Sequence, residues 1–189
     1  MSDKLDRRKK YTRMILKGCL IDLLKVKPIT SVTVKEICEL ADINRSTFYS
    51  HYTDQFDLLE KIGEEVVADM YETLNQYNFK KEEEVLQMTE RILEYIADKS
   101  DVCQILLSDH GDITFEKRVM ELMQSFILEK WIDEYNLRGQ LSEYIPFLII
   151  SVGINAIESW LAKGKKESPK EMASIMHRFI NNGLEGFRG

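Results

Sequence analysis

The chain has 189 residues, with 44% hydrophobic and 31% charged residues and a formal net charge of −6. This composition is typical of a globular domain and excludes wholesale disorder and a coiled-coil fibre. No uninterrupted apolar run reaches the roughly 20 residues that span a bilayer, and the charged N-terminus is unlike a signal peptide. Three widely spaced cysteines, Cys19, Cys38 and Cys103, indicate reduced thiols. We therefore expect a cytoplasmic protein without a membrane partner.

Helical periodicity runs along almost the whole chain, which contains only 3 prolines and 9 glycines. Two capping boxes mark helix starts, Thr33 with Glu36 and Ser168 with Glu171. The predicted helices cover residues 5–26, 33–41, 44–52, 54–77, 82–97, 102–107, 112–135, 142–161 and 168–187. The sequence thus predicts an all-α fold of about nine helices, with a helix-turn-helix domain at 1–53 and a helical effector-binding and dimerisation domain at 54–189.

Charge is distributed unevenly along this chain. Residues 1–52 carry 11 Lys and Arg against 6 Asp and Glu, a balance of +5, whereas residues 53–189 carry 15 against 26, a balance of −11. A short basic segment joined to a long acidic one is typical of a nucleic-acid-binding end attached to a body with another task. Chance clustering of surface charge gives the same pattern, so charge alone does not decide between them.

Residues 33–52 have the pattern of a helix-turn-helix. Ala41 provides the small residue that two touching helices need, Asp42 tolerates the positive φ of the turn, and Ile43 fills the corner. Ile37 and Phe48 are expected to face the first helix and complete a three-helix core. The second helix carries side chains that donate hydrogen bonds to phosphates or base edges, namely Arg45, Ser46, Thr47, Tyr49 and His51.

The segment TVKEICELADINRSTFYSHYTDQFDLL resembles the DNA-binding head of the tetracycline-repressor (TetR) family of bacterial transcription regulators. The matching positions are Thr33, Val34, Ile37, Ala41, Thr47, Phe48, Tyr49, His51, Leu58 and Leu59. Asp42 and Gln55 depart from the family pattern, which has Gly and Lys there, while Ile43 and Tyr52 replace Val and Phe conservatively. The matched segment is a short part of the chain, but the size and the helix count agree with the family throughout.

The resemblance implies a homodimer on a double-stranded, palindromic operator, with one recognition helix per subunit in successive major grooves. The residues that it places at the DNA are Thr33, Lys35, Asn44, Arg45, Ser46, Thr47, Tyr49 and His51. Arg7, Arg8, Lys9 and Lys10 form either an arm over phosphates or a solvated helix start. Tyr49 is expected to face DNA because Phe48 and Tyr52 fill the inward side.

The last two predicted helices carry more apolar surface than one subunit covers, and in this family they form a four-helix bundle with a second subunit. The expected dimer-interface residues are Ile149, Gly153, Ala156, Ile157, Trp160, Ile175, Phe179 and Leu184. A buried hairpin within one chain is the alternative. The middle helices offer an effector pocket of Tyr71, Tyr95, His110, Met123, Phe126 and Trp131, although Met and aromatic residues at this spacing are also ordinary core.

The sequence also resembles the branch of the family related to an activator of dihydroxyacetone kinase genes. In that branch the input comes from a partner protein instead of a small molecule, and both kinds of effector stay open. No phosphate loop, metal-ligand cluster or nucleophile elbow is present in the sequence, so we expect no enzyme, no cofactor and no metal. The predicted function is a sequence-specific regulator, with repression the expected mode. The alternative is a helical ligand- or protein-binding module that lacks DNA binding.

Overall fold

The computed structural model describes residues 2–77, 82–108, 110–111, 114–134, 139 and 141–186, and the side chains of 2–5, 82, 127–134 and 185 lie outside that description. Within this part of the chain the regular structure is nine α-helices and one 3₁₀ turn, without a strand. The helices are α1 (Ser2–Leu24), α2 (Val34–Ala41), α3 (Arg45–Tyr49), α4 (Gln55–Leu74), α5 (Glu82–Asp98), α6 (Ser100–Leu106), α7 (Phe115–Glu134), α8 (Leu141–Ala162) and α9 (Pro169–Glu185). The predicted all-α fold is confirmed.

Helix ends follow the local signals in the sequence. Ser168 accepts a hydrogen bond from the Glu171 backbone N–H, and the Glu171 carboxylate accepts from the Ser168 N–H at 2.8 Å, with Pro169 in the first turn of α9. Asp54 accepts from the Asp57 N–H at 2.8 Å at the start of α4. The predicted cap at Asp112, the turn at 138–140 apart from Gly139, and the last predicted helical residue, Phe187, lie outside the described residues.

The chain divides into two compact units. The first unit comprises Met1–Val66 and Asp101–Ile113, and the second comprises Val67–Ser100 and Thr114–Gly189. The boundary along the chain falls within α4, and α6 is grouped with the N-terminal residues. No local sequence pattern indicates this grouping, because it depends on contacts between residues distant in the chain.

The first unit packs α1 against α2 and α2 against α3. Its core is formed by buried side chains from α1 to α4, among them Leu16, Leu20, Leu24, Ile37, Phe48 and Leu58. Lys17 of α1 forms an ion pair with Glu65 of α4. A 3₁₀ turn at Ile29–Ser31, which the sequence did not predict, follows Pro28 and buries Ile29.

The second unit packs α5 against α9 and α7 against α8. Its buried side chains include Leu93, Ile96, Phe115, Ile150, Ile154, Trp160 and Leu184. By length and mean hydropathy, α8 is the one helix of the described residues that could cross a bilayer, although polar residues interrupt its apolar sequence. A single such helix is weak support for a membrane span, since core helices of soluble proteins have the same character.

Candidate nucleic-acid interface

The capping box at the start of α2 is confirmed. The Thr33 hydroxyl accepts from the Glu36 N–H at 3.3 Å, and the Glu36 carboxylate accepts from the Thr33 N–H at 3.0 Å. Lys27 Nζ lies 2.6 Å from the same carboxylate. Hydrogen bonds from Lys27 and Thr33 lower the pKa of Glu36 to about 2. Thr33 and Lys35 are exposed, so the N-terminus of α2 lies at the surface of the unit.

The turn between α2 and α3 depends on Asp42. Its φ of 52° and ψ of 45° are left-handed, and its backbone N–H is bonded to the Cys38 and Glu39 carbonyl oxygens. The Ile43 N–H donates to the Cys38 carbonyl at 3.0 Å, which completes the end of α2. Asp42 therefore adopts the positive φ that the sequence predicted for the turn, in the position where the family pattern has glycine.

The short helix α3 presents one buried and one exposed face. Asn44 caps it by accepting from the Ser46 N–H at 3.1 Å, as predicted. The Phe48 side chain is 0% exposed, whereas the neighbouring Tyr49 side chain is 57% exposed, with the two rings edge to face at 5.6 Å. Tyr52 is buried beside Phe48. Tyr49 consequently points away from the core, as the sequence predicted.

The helix is shorter than the predicted span of 44–52. Ser50 is its C-cap, and the Ser50 hydroxyl donates to the Thr47 carbonyl oxygen at 2.7 Å. The Phe48 carbonyl then accepts from the N–H groups of both His51 and Tyr52. Side-chain competition for the last carbonyls ends the helix early, and a turn carries the chain to α4.

The residues predicted to contact DNA all lie in the first unit, on or beside α2 and α3. Six are exposed and two are partly buried; the exposed ones are Thr33, Lys35, Asn44, Arg45, Ser46 and Tyr49, and the partly buried ones are Thr47 and His51. The Nζ atom of Lys35 lies 3.7 Å from Oε1 of Glu39, which is one turn further along α2. The fold thus places the predicted residues on or next to two helices that pack together, and their role at DNA stays a prediction.

Two positively charged residues of α1, Lys9 and Arg13, influence His51 electrostatically. Burial, followed by the positive charges of Arg13 and Lys9, lowers the pKa of His51. Lys9 belongs to the basic arm predicted from the sequence, whereas Arg13 was not predicted as part of that arm. Spacing of four residues puts Lys9 and Arg13 on one face of α1, and this signal could have identified the pair. Arg13 and Lys9 thus place positive charge near His51, and a phosphate is a suitable partner for such charges.

His110 does not belong to the second unit, so its predicted place in an effector pocket there is wrong. Its Nδ1 lies 3.0 Å from the Leu24 carbonyl oxygen at the end of α1, and its own carbonyl accepts from the Ile29 N–H at 3.2 Å. Lys25 also bonds Asp101 of α6 at 2.7 Å. A side chain added at Gly111 would meet the Ile105 carbonyl oxygen at 2.1 Å. Asp101 and His110 are therefore both bonded to residues at the end of α1.

The second unit contains an apolar cavity of about 140 Å³. Of the predicted effector residues, Met123 lines it. Tyr71 is exposed with its ring 5.7 Å from Phe126, and the Tyr95 hydroxyl donates to Asp69 at 2.8 Å. The Trp131 side chain lies outside the described residues. The predicted aromatic pocket is therefore not what lines this cavity. In the described part of the chain, no group of three or more His, Cys, Asp or Glu residues could hold a metal ion.

The predicted dimer-interface residues fall into three groups. Ile175 and Phe179 are exposed on α9, and Ala156 is half-buried on α8. Ile149, Gly153 and Ile157 line the cavity. Trp160 and Leu184 are buried within their own subunit, and the Trp160 indole N–H donates to the Glu167 carbonyl oxygen at 3.0 Å. The prediction is corrected for these last two, because helical periodicity does not tell which apolar side faces the chain's own core.

Known proteins resemble the chain along nearly its whole length. Residues 83–182 match the family model described as the C-terminal region of TetR-type transcriptional regulators. An uncharacterised HTH-type transcriptional regulator of Bacillus subtilis (strain 168), YxbF, is 23% identical over 94% of this chain, which spans about half (47%) of that relative's length.

The solved structures with a similar fold include two TetR-type regulators. A TetR-family regulator from Syntrophomonas wolfei superposes with a TM-score of 0.75 at 19% identity, covering 94% of this chain and 96% of that one. The dihydroxyacetone kinase operon activator DhaS superposes with a TM-score of 0.61 at 19% identity, covering 94% and 98%. Since the family model covers more than half of the 189 residues, the chain belongs to the TetR family of transcriptional regulators.

Proposed function

We propose that the protein is a sequence-specific DNA-binding regulator, a homodimer on a palindromic operator, and a repressor whose DNA affinity is set through the second unit. The observation that carries the proposal is the division of α3 into two faces, with Phe48 buried and Tyr49 exposed. A helix of five residues that shows polar side chains beside an exposed tyrosine is suited to lie in a major groove. The proposed site of action is the bacterial cytoplasm, and no enzymatic role is proposed.

The chemistry of the exposed side chains assigns them different tasks. Arg45 opens α3, and arginine reads guanine through paired bonds to O6 and N7. Ser46 and Thr47 reach base edges or adjacent phosphates, while Tyr49 and His51 are suited to phosphate oxygens. At the N-terminus of α2 the N–H groups of Thr33 and Glu36 are engaged in the capping box, so the backbone donors proposed for another phosphate are those of Val34 and Lys35. These contacts combine base recognition with positioning on the backbone.

The homodimer is supported by apolar side chains exposed on both α8 and α9. On α8 these are Phe147, Leu148 and Val152, and on α9 they are Ile175 and Phe179. In addition, 33% of the most apolar window of α8 is buried within the subunit. A second copy would remove these side chains from water, and burial of apolar surface is favourable.

Sequencing of genomic DNA fragments captured by the purified protein tests the DNA-binding proposal. We expect enrichment of a short palindrome, which the doubly substituted Arg45→Ala, Tyr49→Ala protein loses while keeping its oligomeric state. Tyr71→Ala is the matched control, because Tyr71 has a similar exposed fraction, 51%, and lies in the second unit. Equal enrichment by the double variant would refute the assignment of α3.

Sedimentation of the full chain at micromolar concentration tests the dimer. The wild-type chain should sediment as a dimer, and Phe179→Asp should give a monomer by placing a charge in the interface. A monomeric wild type would refute the proposal.

The acidic balance of −11 over residues 53–189 favours one alternative, a partner-binding module without DNA binding. Specific DNA binding weakens steeply as the salt concentration rises, because bound protein releases counterions from DNA. A module without DNA binding would not show this salt-dependent binding to a duplex.

A further inference from the structure

The cavity of the second unit has an unusually uniform wall. Its lining comes from five helices, and the described residues that form it are aliphatic or methionine with the exceptions of Thr89 and Gly153. None of those described residues is charged and none is aromatic. Four methionines, Met70, Met88, Met123 and Met176, supply flexible side chains that adapt to the shape of an occupant. The wall therefore favours an occupant without formal charge.

The volume limits the size of that occupant. Apolar cavities of roughly 150 Å³ stay dry and take up molecules of the size of benzene. At about 140 Å³ the cavity fits a molecule of about six or seven non-hydrogen atoms. A sugar, a nucleotide or a large drug-like molecule is too big and too polar for it.

Thr89 is the one residue with a polar side chain among the described residues that line the cavity. Its hydroxyl donates to the Val85 carbonyl oxygen at 2.8 Å, one turn earlier in α5. With its proton used there, the hydroxyl offers acceptor lone pairs only. A bound hydroxyl group can donate to it, whereas a carboxylate would be buried without a donor, at a high desolvation cost.

From these contacts we propose that the cavity binds a neutral aliphatic molecule of about six carbons that carries at most one hydroxyl group. This inference rests on the proposed function in one respect. The second unit is proposed to set the DNA affinity, and the inference names the class of ligand that this unit binds. Gly153 and Ile157 of α8 and Met176 and Ile180 of α9 line the cavity. The same two helices carry the exposed apolar face proposed for dimerisation, so an occupant acts directly on them.

Calorimetric titration of the full chain with 1-hexanol and with sodium hexanoate at pH 7 tests the proposal. We expect 1-hexanol to bind at least about tenfold more tightly than hexanoate, because one unmet buried hydrogen-bonding group is worth about that factor. Equal affinity for hexanoate, or no binding of 1-hexanol, would overturn the proposal.

Two variants locate the binding in this cavity. Val85→Phe adds a ring at the wall and should abolish 1-hexanol binding, while Val26→Phe makes the same change at an exposed position of the first unit and should leave it unchanged. Thr89→Val keeps the shape and removes the acceptor, so it should weaken 1-hexanol binding about tenfold. If Val85→Phe does not fold, Thr89→Val still decides, and unchanged affinity in that variant would contradict the assigned role of Thr89.

DNA capture without alcohol separates this inference from the proposed function. A chain that enriches a palindrome but does not bind 1-hexanol refutes the ligand class alone. A chain that binds 1-hexanol and enriches no palindrome supports the cavity assignment and refutes the proposed regulator.

Discussion

Asp42 carries backbone strain that substitution can measure. At φ 52° it is one of two non-glycine residues with positive φ among the described residues, and the other is Lys165, at φ 54°. The left-handed conformation costs an ordinary L-residue about 1–2 kcal/mol, and Asp somewhat less. Glycine avoids that cost but loses more chain entropy on folding, by about 0.5–1 kcal/mol. We therefore expect Asp42→Gly to raise the free energy of unfolding by at most about 1 kcal/mol. The free energy of unfolding of Asp42→Ala should be about 1 kcal/mol lower than that of the glycine variant.

Lys165 provides the contrasting case. Its Nζ donates to the Ala97 carbonyl oxygen and to the Ser100 hydroxyl, both at 3.0 Å. Lys165→Gly relieves the same backbone strain but removes two hydrogen bonds made by a charged group, each worth about 1.5–3 kcal/mol. The net change should be destabilising, opposite in sign to that at Asp42.

Urea denaturation measures both substitutions as shifts of the midpoint at constant m-value. For a chain of this size, 1 kcal/mol corresponds to about 2–4 °C in Tm. If Asp42→Ala proves as stable as Asp42→Gly, residue 42 is not left-handed in solution and the account of the turn is wrong.

Two pH effects follow from the shifted groups. Because the pKa of Glu36 is lowered to about 2, its interactions with Lys27 stabilise the fold above pH 4.5 and are lost as the pH falls from 4.5 towards 2. In an acid titration followed by circular dichroism, Glu36→Gln should remove the loss of stability in this pH range. A titration curve identical to that of the wild type would contradict this expectation. The pKa of His51 lies below 6.5 through burial and the charges of Arg13 and Lys9. A bound phosphate should raise this pKa, so DNA affinity should increase as the pH falls through 6.5 towards the lower pKa of the free protein. His51→Gln should flatten that dependence in a fluorescence-anisotropy titration, and a slope that persists would exclude His51 as its source.

Much of the DNA-binding head could be predicted from the sequence because its determinants are local. The capping boxes, the left-handed turn residue and the inward and outward sides of α3 depend on residues within about four positions of each other. Hydrogen bonds of that range form in the same way wherever the segment is placed. Thr33, Asp42, Phe48 and Tyr49 accordingly have the local structure that their positions predicted.

The tertiary structure decided what depended on distant contacts. His110 was expected in the C-terminal domain, but its bond to the Leu24 carbonyl joins residues 86 positions apart and groups it with the head. Trp160 was expected at a subunit interface, and it is 3% exposed within its own unit. A helix that is apolar on most of its circumference does not specify which side its own chain covers. The composition of the cavity wall likewise arises only when five helices pack together, and this is why an aromatic pocket was predicted where the structure has aliphatic side chains and methionine.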